Sequence, residues 1–412
     1  MLCQFCVKNF KSIKEEIILD MQATAISEHR ESLIIDKDHE TFLPIAAIYG
    51  PNGSGKSNVL KAINILVAKV MKPICSVCEN ENCANKEFKV VTPTFQFEKE
   101  CLNQPTEFTV FFRTKKAEYR YVLKTRKEIV QFESLYKKNI NGVKYTALFI
   151  RDESSQYKRV ELYGALKKLP EPEDISENIT LLSYLAITNK RNEFVGDIIH
   201  WFEGGIIFTN FENPFTEAQI SIPEEKADLE IITNMLQEMD IDITGFRTDQ
   251  KEEDLEVYTK HKVEDDVFEL TLREESAGTK KVMGFLPDIL LSLERGSTLI
   301  VDELDSKLHP VLIKYIIQLY TNRNINKKGA QLIFTSHDLA NMNNEVYRRD
   351  EIWFVAKNNE QASELYSLVE LKDADGNSIR KDARYDKQYL EGKYGADPYL
   401  KKIIDWGGYN GI

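Results

Sequence analysis

No apolar run in this chain reaches membrane-spanning length, which excludes a transmembrane helix as its organising element. Its first ten residues, Met1 to Phe10, lack the apolar core of a secretory signal. There is no internal repeat and no low-complexity tract, so solenoids and disordered linkers are set aside. Positive charge is in short supply: 54 Lys and Arg face 66 Asp and Glu, a formal charge of −12. So acidic a chain is not coated with phosphate-binding surface, and any DNA contact needs a local patch or a partner. Cysteine is scarce, at six in 412 residues. These point to a cytoplasmic protein whose cysteines are reduced thiols or metal ligands. The rest is ordinary for a globular chain, with 42% apolar and 29% charged residues, enough for one large or two ordinary domains.

Within this plain composition one stretch stands out. Ile45-Ala-Ala-Ile-Tyr-Gly50-Pro-Asn-Gly-Ser-Gly55-Lys56-Ser57-Asn58 passes from a short apolar run through a glycine loop into a helical pattern. It fits G-x-x-x-x-G-K-[ST] at every fixed position. Gly50, Gly53 and Gly55 let the backbone turn tightly and bring its N–H groups against phosphate oxygens. The helix that follows points its positive end at the same anion. Lys56 can reach the β- and γ-phosphates, and the Ser57 hydroxyl can ligate Mg²⁺. Asn52, Ser54 and Asn58 complete the expected ATP-binding set. A chance glycine loop would not be expected to have a strand before it and a helix after it.

Ile45 to Tyr49 reads as a buried parallel strand. Leu60, Ile63, Leu66, Val67 and Val70 recur at helical spacing and predict a helix over Ser57 to Met71. Leu2 to Phe10 and Glu16 to Met21 read as two strands. Glu107 to Arg113 and Tyr119 to Lys124 read as a hairpin carrying Arg113, Lys115, Lys116, Arg120, Lys124, Arg126 and Lys127. Those cations could meet DNA or an acidic partner, although a solvated, aggregation-resistant edge is the better reading. The middle is richer in charge, with helical runs near Thr180–Ile187, Phe194–Phe202 and Glu224–Met239. From Val267 onward, strands and helices alternate, which implies a mainly parallel sheet covered on both faces. The resulting expectation is an α/β fold in three parts. Residues 1–130 and 266–412 form two halves of one nucleotide-binding head, with an antiparallel β portion near the N-terminus. Residues 131–265 are expected as a mostly helical insertion.

Leu299-Ile-Val-Asp302-Glu303 is an apolar strand running into an acidic pair. Asp302 is expected to hold Mg²⁺ and Glu303 to polarise the attacking water, since one carboxylate cannot do both. Leu304-Asp305-Ser306 follows as a loop suited to a subunit interface. Leu332-Ile-Phe-Thr335-Ser336-His337 sets His337 just past another buried strand, where strand ends converge on a ligand crevice. There His337 can donate to the γ-phosphate. Upstream, Glu275-Ser276-Ala277-Gly278-Thr279-Lys280 offers a second helix N-terminus with a serine and a glycine.

The order of glycine loop, Ser-x-Gly, Asp-Glu, Leu-Asp loop and histidine resembles the ABC-type ATPases of the SMC and RecF class. So do Asn9-Phe10-Lys-Ser12-Ile13 and Gly-Pro-Asn-Gly-Ser-Gly-Lys-Ser-Asn. Glu275-Ser-Ala-Gly-Thr-Lys280, Leu308-His-Pro310, Ser363-Glu-Leu-Tyr-Ser-Leu368 and Tyr389-Leu-Glu-Gly-Lys-Tyr-Gly-Ala-Asp-Pro398 resemble ATPases of bacterial abortive-infection and phage-defence operons. That class includes the RloA and AbiL proteins and the ATPase subunit of the PARIS system. The likeness covers 1–125 and 266–400, and the middle only loosely. Ala277 and Thr279 depart from the transporters' Leu-Ser-Gly-Gly-Gln, and Gln96 is the one candidate for a Q-loop.

The resemblance implies that Ser276 and Gly278 of one subunit cap the γ-phosphate held by another. A complete site then needs a head-to-tail dimer or a higher homo-oligomer. It further implies a catalytic set of Lys56, Glu303 and His337, with ATP and Mg²⁺ as cofactors. The expected role is a switch or sensor subunit of an antiphage system, controlling a separate effector, a co-encoded nuclease, with a phage component as trigger. The alternative is a RecF-like DNA-repair or chromosome-associated ATPase that binds duplex DNA directly.

Cys75-x-x-Cys78-x-x-x-x-Cys83 supplies three thiols at metal-ligand spacing, with Cys101, Cys3 and Cys6 as further ligands. Zinc and free thiols both remain open, because zinc wants four ligands and no histidine follows at knuckle spacing. Asp373, Asp375 and Asp382 lie in a stretch dense with lysine and arginine around an Asp-Gly turn, which suits a surface better than a two-metal nuclease site.

Overall fold

The computed structural model describes residues 1–76, 90–156, 159–172, 174–209, 226–251, 254–373 and 375–396. The chain opens with β1 (Leu2–Lys8) and β2 (Ile17–Asp20), then the short pair β3 (Ile34–Ile35) and β4 (Thr41–Phe42), and then β5 (Ile45–Tyr49). Helix α1 (Lys56–Ser76) follows the glycine loop and runs past the expected Met71. Strands β6 (Thr106–Arg113), β7 (Ala117–Arg126), β8 (Ile129–Asn139), β9 (Thr146–Asp152) and β10 (Val160–Leu162) form a meander. After α2 (Leu181–Thr188), α3 (Glu193–Gly204), β11 (Ile206–Thr209) and α4 (Lys226–Glu238) come β12 (Gly245–Lys251), β13 (Asp254–Val263) and β14 (Asp266–Thr271). The chain continues through α5 (Ala277–Arg295), β15 (Thr298–Val301), α6 (Pro310–Thr321), β16 (Gln331–Thr335), β17 (Ile352–Lys357), β18 (Ser363–Ser367) and α7 (Tyr385–Leu390).

Two sheets organise these elements. A six-stranded sheet has the order β11-β15-β16-β5-β17-β18, parallel except at β18. A seven-stranded antiparallel sheet has the order β10-β9-β8-β7-β6-β1-β2. In the parallel sheet, side chains alternate between two cores, as period two requires. Ala46, Ile48, Ile300, Ile333, Trp353 and Val355 enter the core shared with the antiparallel sheet and α1 to α3. Ile45, Ala47, Tyr49, Leu299, Val301, Leu332 and Phe334 enter the opposite core, with α5 and α6. Both faces are therefore covered, which is why β5, β15 and β16 read as unbroken apolar runs.

The middle is mixed rather than mostly helical. Its first part, through β10, completes the antiparallel sheet; β11 adds the edge of the parallel sheet; β12, β13 and β14 make a separate three-stranded sheet. Its charge hid the strands: β8 and β9 carry polar residues on a half-exposed face, which blurs the alternation. The cationic hairpin is also not an edge. β6 and β7 lie inside the sheet, Arg113 is buried among Asp36, Asp38, Glu40 and Glu118, and Lys124 pairs with Glu107 at 2.7 Å. Among the described residues, no helix is long and apolar enough to cross a membrane.

Candidate functional site

Parallel pairing brings the motifs together. Val301 lies beside Phe334 and Thr335 beside Ile48, so Gly50, Asp302 and Ser336 leave the sheet at the same end. Strand ends of a parallel sheet form the usual crevice for a ligand.

The glycine loop has the shape that its sequence requires. Gly50, Gly53 and Gly55 have φ of 153°, 74° and 108°, a region costly for any residue with a Cβ. A Cβ on Gly50 would run into the Val355 carbonyl, and one on Gly55 into the hydroxyls of Ser363 and Ser12. Asn52 and Gly53 are exposed at the tip, and Ser54 is buried. Lys56 is buried and donates to the Gly50 and Pro51 carbonyls at 2.8 and 3.2 Å. Burial pulls its ammonium below the ordinary lysine value, against the opposing fields of Glu303, Asp302 and Asp305. Among the described residues no carboxylate bonds Lys56 directly, and two carbonyl oxygens hold its ammonium. An anion in the loop would find a cation ready for it.

Asp302 sits at the centre of the acidic end. Its Oδ1 accepts from Ser57 Oγ at 3.0 Å and from Thr335 Oγ1 at 2.6 Å. The Thr335 hydroxyl in turn accepts from the Glu303 N–H at 2.7 Å, and the Thr335 carbonyl accepts from the Leu304 N–H at 3.1 Å. Glu303 has φ of 52°, a strained conformation for a residue other than glycine. That turn leaves its carboxylate exposed while its backbone is anchored. Asp305 Oδ1 accepts from the His337 N–H at 3.1 Å, fixing the histidine's backbone beside the acidic loop. Partial burial and the Lys56 ammonium hold the His337 imidazole below its ordinary value.

These residues fit a Mg²⁺–nucleotide. The Ser57 hydroxyl and the Asp302 carboxylate already touch, so one ion can take an oxygen from each, with the rest from phosphate and water. Among the described residues no group of three or more histidine, cysteine or carboxylate side chains gathers to hold a metal alone. An ion here would depend on its nucleotide, as Mg²⁺ usually does.

The Ser276 hydroxyl caps α5, accepting from the Thr279 N–H at 3.0 Å, and this starts the helix at Ala277. Ser276 is exposed. A Cβ on Gly278 would lie 3.2 Å from the Lys307 carbonyl, so glycine permits the approach of α5 to the acidic loop. Buried Lys281 donates to the Ser306 carbonyl, and burial pulls it down to about 8. Gly278 thus lies against the loop that follows Asp302 and Glu303, with Ser276 exposed at the start of the same helix.

Thr335 joins the site with one signal in the sequence, a hydroxyl at the last position of a strand entering a crevice. Ser363 comes to Gly55 from the far end of the chain, with no local signal for that approach. Asn58 and Ser12, far apart in sequence, are linked directly, Asn58 Nδ2 donating to Ser12 Oγ at 2.7 Å. Gln96 is exposed and bonds the Thr94 carbonyl at 2.9 Å. The zinc expectation lies largely outside the described residues: Cys75 is in the last turn of α1, whereas Cys78 and Cys83 are not described. Cys3 and Cys6 are buried on β1, and burial pushes both thiols up to about 12. Cys101 donates to Glu98 at 3.1 Å.

Among solved structures, the recombination mediator protein RecF-ATPrS of the RecFOR pathway is similar with a TM-score of 0.31 and 13% identity, over 89% of this chain and 98% of that one. No protein of curated function matches the sequence. The family described as "AAA domain, putative AbiEii toxin, Type IV TA system" matches residues 45–171 and 210–343. Those segments hold the glycine loop, Ser276, Asp302, Glu303 and His337, and they span more than half of the chain, which belongs to this AAA-domain family of P-loop ATPases.

Proposed function

We propose that the chain binds and hydrolyses ATP as the switch or sensor subunit of an antiphage system, in the manner of the abortive-infection ATPases that it resembles. The carrying observation is the Ser57–Asp302–Thr335 cluster beside the glycine loop, with Glu303 exposed next to it. Lys56 and the loop N–H groups bind and orient the phosphates. Ser57 and Asp302 hold the Mg²⁺, which neutralises phosphate charge. Glu303 takes the proton of the attacking water, and His337 donates to the terminal phosphate. Ser276 and Gly278 of a second copy close the site, so that ATP joins two heads and hydrolysis releases them. The nucleotide state then sets which surface a separate effector meets, and that effector is a nuclease.

The test is Glu303→Gln, which keeps the binding groups and loses the base. Turnover should fall by about a hundredfold or more, while ATP should hold a dimer visible by light scattering for longer than in wild type. A mutant that turns over at the wild-type rate removes Glu303 from this role.

A further inference from the structure

Three segments far apart in sequence meet behind the glycine loop. Ser12 lies in the turn between β1 and β2, Asn58 in the first turn of α1, and Ser363 at the start of β18. Asn58 Nδ2 lies 2.7 Å from Ser12 Oγ, Ser12 Oγ lies 2.7 Å from Ser363 Oγ, and Ser363 Oγ lies 2.5 Å from the Ser54 carbonyl. Asn58 donates to the Ser12 hydroxyl, and the Ser363 hydroxyl shares its hydrogen between the Ser12 oxygen and the Ser54 carbonyl, which can only accept. The cluster therefore ends on the backbone of the phosphate loop.

Other features agree. The backbone repeats the junction, with the Ser363 N–H donating to the Ser12 carbonyl at 2.6 Å. Lys14, two residues beyond Ser12, pairs with Glu360 at 2.7 Å and Glu98 at 3.2 Å, closing the outer side of the same seam. Ser12 belongs to the turn of the antiparallel sheet and Ser363 to the edge strand of the parallel sheet, so the cluster also joins the two sheets. Gly55 has a second reason to be glycine, since a Cβ would occupy the place of the two hydroxyls.

We propose that Ser12 and Ser363 are positioning residues, which hold the phosphate loop in its nucleotide-accepting shape through this hydrogen-bonded cluster between Asn58 and the Ser54 carbonyl. Neither needs to touch the nucleotide. The role rests on the ATP-binding reading for its consequence, but not for its geometry. A network of hydrogen bonds is cooperative, so losing either hydroxyl releases the loop.

The experiment compares wild type with Ser12→Ala, Ser363→Ala and the Ser12→Ala/Ser363→Ala double variant. Three readouts are taken: ATP affinity with Mg²⁺ by calorimetry, turnover at saturating ATP, and amide hydrogen exchange over residues 50–57 without nucleotide. Each single variant should bind ATP about tenfold more weakly. Turnover at saturation should stay within about twofold, because the cluster acts on binding. Loop amides should exchange faster, and the double variant should resemble the worse single rather than the sum. Wild-type affinity and exchange in the single variants, or additive losses in the double, would overturn the proposal. If Ser363→Ala fails to fold, Ser12→Ala breaks the same cluster from its other side. If wild-type protein binds no ATP, the ATP reading fails, and loop exchange still decides the cluster's role.

Discussion

Thr335→Val offers the most direct probe of how the acidic end is built. Valine keeps the shape of threonine and deletes one hydroxyl. That hydroxyl is fully buried, donates to Asp302 at 2.6 Å and accepts from the Glu303 N–H at 2.7 Å. The first is a bond to a carboxylate, and losing the second leaves a donor without its partner. Together they amount to about 2–4 kcal/mol. Part of this should appear as stability, lowering Tm by a few degrees. The rest should appear in catalysis, because Asp302 would keep only Ser57 and the strained Glu303 would lose its anchor. If about 3 kcal/mol must be restored to reach the reacting geometry, turnover falls about a hundredfold. Thr335→Ser keeps the hydroxyl and should stay close to wild type. Steady-state ATP hydrolysis and thermal melting of the three proteins are the assays. A valine variant with wild-type turnover would refute the claim that Thr335 sets the Asp302–Glu303 pair, even if Tm fell.

Further outcomes follow from the same geometry. Lys56→Ala and Ser276→Arg should each be nearly inactive alone, and mixing them should restore part of the ATPase activity, since a mixed dimer contains one intact site. No recovery, with mixed dimers shown to form, would place the signature's action within its own chain. Burial raises the Glu351 carboxyl to about 8, so the folded chain holds a proton there that the unfolded chain releases near 4.5. Stability from this group is therefore lost as pH rises between those values, by up to about 1.4 kcal/mol per unit. Glu351→Gln should flatten that slope in urea melts at pH 5 to 8, and an unchanged slope would refute the assignment. The purified protein should cut neither plasmid, single-stranded DNA nor transfer RNA with Mg²⁺ or Mn²⁺, with or without ATP. Cleavage that is abolished by mutating a carboxylate of the middle or C-terminal region would refute the reading that the nuclease is a separate effector.

The glycine loop, the Asp302–Glu303 pair and His337 were legible in the sequence because each is local. A tight phosphate cradle needs glycines at fixed spacing, and an apolar strand ending in carboxylates declares both its burial and its charged tip. The strands of the parallel sheet were legible for the same reason, being buried on both faces. The middle was not, since half-exposed strands carry charge on one side and resemble helix or loop in a single chain. What only the tertiary structure decided is the company these motifs keep. Thr335 reaches Asp302 through parallel register, Gly278 reaches the Lys307 carbonyl by close packing, and Ser12, Asn58 and Ser363 meet because two sheets abut behind the loop. Local sequence determines which groups can bind a phosphate. Contacts over three hundred residues of separation, such as Ser363 to Ser54, depend on how the sheets close on each other, and no local pattern specifies that.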